Sequence, residues 1–172
     1  LGQFEAHADL GSPAAVGAAT YNGATQEYTL RPGGAPHFAW KRIKGDFVLQ
    51  ANVSFLDAEP GPQATAGLVV RTGTGAGSSF AGVVVRNDKL AAIQYRILEG
   101  GLNDQSEATL TTGDVIQLER RASVYYFSAG RAGVPLYTRQ RADLPMGEEL
   151  YVGLAASASA VFSNVRIARA VA

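Results

Sequence analysis

Polar side chains alternate with apolar ones in several β-type runs of this sequence, and such a pattern can build a ligand-binding surface. In the run Asp46–Leu56, apolar residues such as Phe47 and Leu49 share one face, while Gln50 and Asn52 share the other. The same parity predicts a polar face made of Gln50, Asn52, Arg71, Gln94, Arg96 and Glu119. These groups would hydrogen-bond a hydroxyl-rich ligand if their strands are neighbours. The alternative is a solvated sheet face whose polar residues pair across strands.

Aromatic residues near this face would supply stacking. Trp40 is the only tryptophan, and it follows a Pro/Gly loop in a run that also holds His37 and Phe38. A flat indole stacks on the C–H face of a sugar ring, which makes Trp40 and the nearby His37 candidate ligand residues. The alternative for Trp40 is a core position, because Phe38 shares its parity. Tyr125 and Tyr126 fall on opposite faces of one strand, and we predict that Tyr125 points outward as a further stacking residue.

Two short segments carry weaker signals of ion or phosphate binding. Asp9, followed by a Gly-containing turn, is a weak candidate for a structural Ca²⁺ ion, which takes six to eight oxygen ligands. The alternative is that Asp9 caps its own turn, and no other cofactor is predicted. The Gly-rich stretch Thr72–Ser79 lacks the lysine and following helix of a P-loop. It therefore predicts a flexible connection that could shape a ligand site.

Catalytic residues are not indicated. Glycoside hydrolysis generally needs two carboxylates about 5–10 Å apart, and Glu119 is the only acid placed on the polar face. The chain has no cysteine, and its two histidines, His7 and His37, make neither a zinc signature nor a recognisable part of a triad. We therefore predict a protein that is not an enzyme.

Length and charge limit the remaining classes of function. The chain has 172 residues, of which 47% are hydrophobic and 17% are charged, which suits one domain spanning residues 1–172. Fifteen basic residues balance fifteen acidic ones, so no net charge attracts nucleic acid or an anionic membrane. No apolar run approaches the roughly 18 residues of a membrane span. We expect neither nucleic-acid binding nor membrane insertion.

The secondary structure that would position these residues is predicted to be all β. Runs of β-branched and aromatic residues alternate with Gly, Pro, Asn and Asp clusters, and no window shows a helical apolar stripe. Eleven strands suit two stacked antiparallel sheets, that is, a β-sandwich. The predicted strands are Thr25–Leu30, His37–Ile43, Asp46–Leu56, Ala66–Thr72, Phe80–Arg86, Leu90–Ile97, Val115–Arg121, Ser123–Ala129, Tyr137–Arg141, Leu150–Ala158 and Val161–Ala168.

The order of several segments along the chain points to a family. These segments read ADLGSP, GAATYN, EYTL, FAWKRIKGDFVLQANVSF, AGLVVRTG, AAIQYRILEGG, IQLERR and YVGLAASASAVFSNVRI. From Phe4 to Ile167 the chain resembles uncharacterised concanavalin-A-like jelly-roll modules of bacterial exported proteins. The resemblance implies a jelly roll, a secreted or periplasmic location, and in some cases an adjacent domain such as a TolB-type propeller or a glycan-processing enzyme.

The resemblance extends to individual residues. Arg71, the pair Tyr95-Arg96 and the pair Glu119-Arg120 fall where relatives carry similar residues. The loop after Arg71 departs from the pattern, because Gly, Ser and Phe80 stand where relatives often have acidic residues and a tyrosine. We therefore expect a noncatalytic carbohydrate-binding module that holds a poly- or oligosaccharide, including an acidic one. The alternatives are a glycan-active enzyme of the keto-glycoside hydrolase or lyase type, and a module that docks onto a neighbouring domain or protein.

Overall fold

Fourteen β-strands run through the residues that the computed structural model describes, which are 1–96, 109–112, 114–131, 133–141, 144 and 146–169. In chain order they are β1 (Ala6–Asp9), β2 (Ala18–Asn22), β3 (Glu27–Arg31), β4 (His37–Lys44), β5 (Phe47–Phe55), β6 (Thr65–Arg71), β7 (Phe80–Arg86), β8 (Leu90–Arg96), β9 (Thr109–Thr112), β10 (Val115–Arg121), β11 (Val124–Gly130), β12 (Tyr137–Arg141), β13 (Glu149–Ala156) and β14 (Ala160–Arg169). This part of the chain holds no helix long and apolar enough to cross a membrane.

The strands form two antiparallel sheets. Sheet A has the order β1-β4-β13-β6-β7-β8-β9, and sheet B has the order β12-β11-β10-β5-β14-β3-β2. The predicted all-β, two-sheet antiparallel sandwich is confirmed. The sequence misses β1, β2 and β9, which all lie at sheet edges. Edge strands are short and bury little, so their sequences carry a weak alternation signal.

The core lies between the sheets and follows the alternation of the sequence. Leu68 and Val70 of β6, Ile93 of β8, and Ile116 and Leu118 of β10 all point inward, as their parity predicts. Ile97, the last residue of the predicted strand Leu90–Ile97, lies outside the described residues. Because side chains alternate, the neighbours of these inward residues point away from the core, onto the outer face of each sheet.

Close backbone approach shapes the outer face of sheet A. A Cβ added at Gly153 would lie 1.8 Å from the carbonyl oxygen of Ala39, and one added at Gly67 would lie 2.1 Å from that of Val83. Real Cβ atoms do not approach so closely, so these positions of β13 and β6 require glycine. Gly67 and Gly153 therefore leave two positions of this face without a side chain.

A buried arginine ties together three turns at one end of the sandwich. Arg120 is 8% exposed, and its Nε donates to the carbonyl of Ala122 at 2.9 Å. Its Nη1 donates to Glu148 O at 2.8 Å and more weakly to Gly45 O, and its Nη2 donates to Gly147 O at 2.6 Å. The buried guanidinium thus has its hydrogen bonds satisfied by backbone carbonyls, and these bonds hold the turns together.

We predict that Arg120→Met lowers the free energy of unfolding by about 3 kcal/mol, since charged hydrogen bonds contribute about 1.5–3 kcal/mol each and do not add fully. The neighbouring substitution Arg121→Met is the control. The Arg121 side chain is 68% exposed and pairs with Glu119 at the surface, so its loss should change stability by less than about 1 kcal/mol. Urea unfolding of both variants measures the difference in the free energy of unfolding. Equal destabilisation by the two substitutions would contradict the stabilising role of Arg120.

Candidate functional site

The residues of the predicted polar face lie on two different sheets. Gln50 and Asn52 of β5 and Glu119 of β10 belong to sheet B, whereas Arg71 of β6 and both Gln94 and Arg96 of β8 belong to sheet A. All six have the outward parity predicted for them, but the outer faces of the two sheets point to opposite sides of the sandwich. The expectation of one shared floor is therefore wrong. Strand parity determines the face of a residue and carries no information about its sheet.

On sheet B the outward polar residues pair with one another. Gln50 lies directly opposite Gln117, and its Nε2 donates to the Gln117 Oε1 at 3.0 Å. Glu119 forms an ion pair with Arg121 on the same strand. The Gln50–Gln117 contact matches the cross-strand pairing that was the alternative to ligand binding, and the Glu119–Arg121 pair lies within one strand.

Tyr125 points into the core, so its predicted outward position is wrong. It is 1% exposed, while Tyr126 is half-buried on the opposite face of β11. Phe127 and Ala129 share the parity of Tyr125 and are fully buried, and this apolar alternation is the signal that could have placed Tyr125 correctly. Among the described residues its hydroxyl has no hydrogen-bond partner, and burial raises the pKa of Tyr125.

His37 is buried on the inner side of β4, away from Trp40, and its predicted place on a ligand surface is wrong. Its Nδ1 lies 2.9 Å from Asp9 Oδ1, and its Nε2 lies 2.8 Å from His7 Nδ1. His7 is exposed, so the three side chains form a relay from the surface to a partly buried carboxylate. The hydrogen bond from His37 holds the pKa of Asp9 below its usual value.

The hydrogen bonds of Asp9 also concern its predicted role as a ligand of a Ca²⁺ ion. Asp9 Oδ1 also accepts the backbone N–H of Gly17 at 3.0 Å, so this oxygen already serves two donors. In the described part of the chain no three His, Cys, Asp or Glu side chains are placed to hold a metal ion together. A structural Ca²⁺ ion at Asp9 stays a prediction.

Two cross-strand rows define the outer face of sheet A. One row contains Arg42, Tyr151, Arg71, Phe80 and Arg96, and the next contains Trp40, Gly153, Val69, Gly82 and Gln94. Sheet A therefore brings together four of the predicted ligand residues, Trp40, Arg71, Gln94 and Arg96. Gly153 and Gly82 have no side chains, so Val69 is the one side chain that stands above the sheet in the middle of the second row.

A groove of about 520 Å³ opens on this face. Its floor consists of the small apolar side chains Val69, Val84 and Ala155, and the polar groups of Arg71 and Gln94 reach its lining. The volume falls within the roughly 300–1,000 Å³ of ordinary ligand sites. The groove thus combines an even apolar floor with polar groups at its side.

Trp40 lies beside the groove in an aromatic cluster. Its ring stacks on Phe38 with centroids 5.4 Å apart, and it meets Tyr151 edge-on at 5.9 Å. These rings pack with the buried Val69 and Phe80 on the outer face of sheet A, apart from the main core. Trp40 is half-buried, so a stacking role for it stays a prediction.

Two arginines fasten the Gly-rich loop Thr72–Ser79 over this cluster. Arg71 donates from Nε to Gly73 O at 3.1 Å and from Nη2 to Gly75 O at 2.6 Å. Arg96 donates from Nη1 to Ala76 O at 2.6 Å. The loop is thus anchored, contrary to the flexible connection that its glycines predict. Its carbonyls are directed at cations, which is the opposite of the N–H-lined cradle that binds phosphate.

Arg71 is the most constrained of these side chains. It is 5% exposed, and its Cζ lies 5.9 Å from the ring centroid of Phe38 and 5.5 Å from that of Phe80. Burial, together with the nearby charge of Arg96, lowers the pKa of Arg71 to about 10, so it stays protonated at neutral pH. A fixed cation thus lines the groove.

A second cavity, of about 780 Å³, is lined by residues that include Val53, Phe55, Asp57 and Asp114. None of the predicted ligand residues lines it. Asp88, at its rim, already pairs with Arg86 and accepts the N–H of Leu90 at 3.1 Å. The groove on sheet A is therefore the better candidate site.

Comparison with solved structures identifies the fold. A functionally unknown protein from Saccharomyces cerevisiae is 17% identical, with a TM-score of 0.67 over 96% of this chain and 97% of that one. The carbohydrate binding module CBM66 from Bacillus subtilis is 15% identical, with a TM-score of 0.58 over 96% of both chains. The exoplasmic/lumenal domain of VIP36, in a Ca²⁺/Man3GlcNAc-bound form, is 9% identical, with a TM-score of 0.60 over 91% of this chain and 84% of that one.

The fold is the concanavalin-A-like jelly roll. This confirms the fold that the resemblance of the sequence implies. Identities this low establish the fold and leave the function to the residues of the site. No family model and no curated protein matches the sequence.

The relay at His7 predicts a loss of stability on acidification. Burial, and then the nearby His37, lower the pKa of His7, so the unfolded chain takes up a proton at higher pH than the folded protein does. The contribution of neutral His7 to the free energy of unfolding is complete at pH values above its pKa in the unfolded chain, which is about 6.5. It is lost as the pH falls through the pKa of His7 in the folded protein. Urea unfolding near pH 7.5 and near pH 5.5 should show this decrease, with a smaller one in His7→Asn. An equal decrease in both proteins would exclude His7 as its source.

Proposed function

We propose that this protein is a noncatalytic carbohydrate-binding module that holds a poly- or oligosaccharide in the groove on the outer face of sheet A. The observation that carries the proposal is the pairing of an even apolar floor with amide and guanidinium groups beside it. Sugars present the matching surfaces, because each ring has C–H faces and an equatorial rim of hydroxyl groups.

The floor suits the face of a sugar ring. Val69, Val84 and Ala155 are small, and the required glycine at Gly153 keeps the adjacent backbone free of side chains. A ring lying on this floor would bury C–H groups without meeting a protruding side chain. Contact of this kind gains about 25 cal/mol per Å² of apolar area removed from water.

The polar side of the groove suits hydroxyl groups. Gln94 is half-buried in the groove lining, and its amide offers both donors and an acceptor, as a sugar hydroxyl does. Arg96 is fastened to the Gly-rich loop, so its side chain is held in place before any ligand arrives. Pre-arranged groups of this kind lose little conformational entropy on binding.

The similar structures support this proposal through their fold. One of them is a carbohydrate binding module, and another is a lumenal domain in a glycan-bound form. Binding without turnover is part of the proposal, because the described residues lining the groove supply amide and guanidinium groups and no carboxylate to serve as acid or nucleophile. A secreted or periplasmic location, which the family resemblance implies, would give the module access to such polysaccharides.

A matched pair of glutamine substitutions tests which face binds. Gln94→Ala should weaken binding of a polysaccharide about fivefold, since a net hydrogen bond is worth about 1 kcal/mol. Gln50→Ala removes the same group from the outer face of sheet B and should leave the dissociation constant unchanged. Isothermal titration of both variants and the wild type against a panel of neutral and acidic polysaccharides measures this. Neither substitution should change the melting temperature by more than a few degrees.

A turnover assay on the same panel separates the rival functions. Binding with no release of reducing ends or unsaturated products supports the proposal. Turnover would replace it with a glycan-active enzyme on the same fold. Titrations that are flat for the wild type across the whole panel would end the glycan-binding proposal and favour docking onto a neighbouring domain or protein.

A further inference from the structure

We propose that the groove selects an anionic glycan, one that carries uronate or sulfate groups, and that the Arg71 guanidinium binds this negative charge. The inference rests on the proposed function and narrows its substrate class. It starts from an unusual feature of Arg71, which is a charged side chain buried to 95% on the outer face of a sheet. Burial of a charge is costly unless an opposite charge or several hydrogen bonds compensate for it.

The described partners of Arg71 compensate for this charge incompletely. Its Nε and Nη2 donate to the neutral carbonyls of Gly73 and Gly75, and the rings of Phe38 and Phe80 lie near its Cζ. Its Nη1 has no hydrogen-bond partner among the described residues, and no described carboxylate forms an ion pair with Arg71. The side chain nevertheless lines the groove, so a bound anion could reach it.

The groups around Arg71 favour binding of an anion over binding of a neutral hydroxyl group. The two carbonyls and two aromatic rings hold the guanidinium plane in one orientation, so little side-chain entropy is lost when an anion binds. A charge-assisted hydrogen bond at a site shielded from water is about twice as strong as a neutral one. A carboxylate or sulfate on the ligand would therefore gain more at Arg71 than a hydroxyl group would.

The charge pattern of the groove agrees with this inference. Arg71, Arg86 and Arg96 all line it, in a protein whose basic and acidic residues are equal in number. Arg86 forms an ion pair with Asp88, and Nη1 of Arg96 donates to the carbonyls of Ala76 and Ser78, so Arg71 is the side chain to test. The apolar floor distinguishes the groove from a general polyanion surface, because Val69, Val84 and Ala155 need a ligand with apolar faces as well as charge.

The test compares each charged polysaccharide with its own neutral form. Polygalacturonate, alginate and hyaluronate are titrated beside their carboxyl-reduced products, and sulfated polysaccharides beside their desulfated products. We expect the wild type to bind at least one charged form tenfold or more tightly than its neutral counterpart. The preference should shrink as salt is raised, because screening weakens charge interactions. Which pair shows the preference identifies uronate or sulfate as the source of the charge.

Three variants connect the preference to Arg71. Arg71→Gln should weaken binding of the charged form roughly tenfold to a hundredfold and leave the neutral form nearly unchanged. Arg71→Lys retains a charge without the planar fork, and it should recover part of the preference. Arg121→Gln removes one positive charge from sheet B and should behave as the wild type. The readout is the ratio of the two dissociation constants, which a general loss of folded protein does not change.

The outcomes separate this inference from the proposed function. Equal binding of charged and neutral forms by the wild type would overturn the charge selection while the glycan-binding proposal stands. Retention of the full preference in Arg71→Gln would overturn the role of Arg71. Absence of binding to every neutral and charged polysaccharide would overturn the proposed function, and the narrower inference with it.

Discussion

The buried charge of Arg71 is the constraint on which the outer face of sheet A depends. A guanidinium at this depth must be solvated by protein atoms, and Gly73 and Gly75 supply the carbonyl oxygens for it. Their positions fold the Gly-rich loop back over the sheet, where Phe38 becomes fully buried and Phe80 nearly so. The edge of the loop then forms one side of the groove, with Ala76 in its lining. Arg71 thus contributes to the loop conformation and to one wall of the candidate site, and Arg96 holds the same loop through Ala76 and Ser78.

Glycine serves two different purposes in this arrangement. Gly153 and Gly67 are needed because neighbouring strands approach so closely that no Cβ fits between them. The glycines of the loop, by contrast, expose carbonyls that an arginine can reach and present no side chains to hinder the close approach. The first set allows close packing of the strands, and the second allows the loop to be held by arginine side chains. The groove of about 520 Å³ lies between this surface and the anchored loop, and its volume is that of an ordinary ligand site.

Strand alternation explains how much of this could be predicted from sequence. Parity placed Leu68, Leu118 and Gln94 on the correct faces, because inward and outward positions alternate in any strand of a sandwich. Parity could not assign strands to sheets, since strand order depends on long-range pairing such as that of β6 with β13. This is why Gln50 and Arg71 seemed to share a floor. The anchoring of the loop was equally hidden, because three alternate glycines look the same in a flexible and in a fastened loop.

Two buried arginines of this fold, Arg120 and Arg71, differ in how many of their nitrogens donate hydrogen bonds. Arg120 donates to four carbonyls from three turns at one end of the sandwich, and its nitrogens are all used. Arg71 is buried to a similar degree, yet one of its nitrogens has no described partner and it lines a groove. Nη1 of Arg71 is not one of the buried, unpartnered side-chain atoms of the described residues, so it keeps contact with solvent in the groove. An apolar side chain could pack with Phe38 and Phe80 without the cost of burying a charge. A nearly buried guanidinium that is held in one orientation and keeps one accessible donor is the feature on which the proposed recognition of an anion at Arg71 rests.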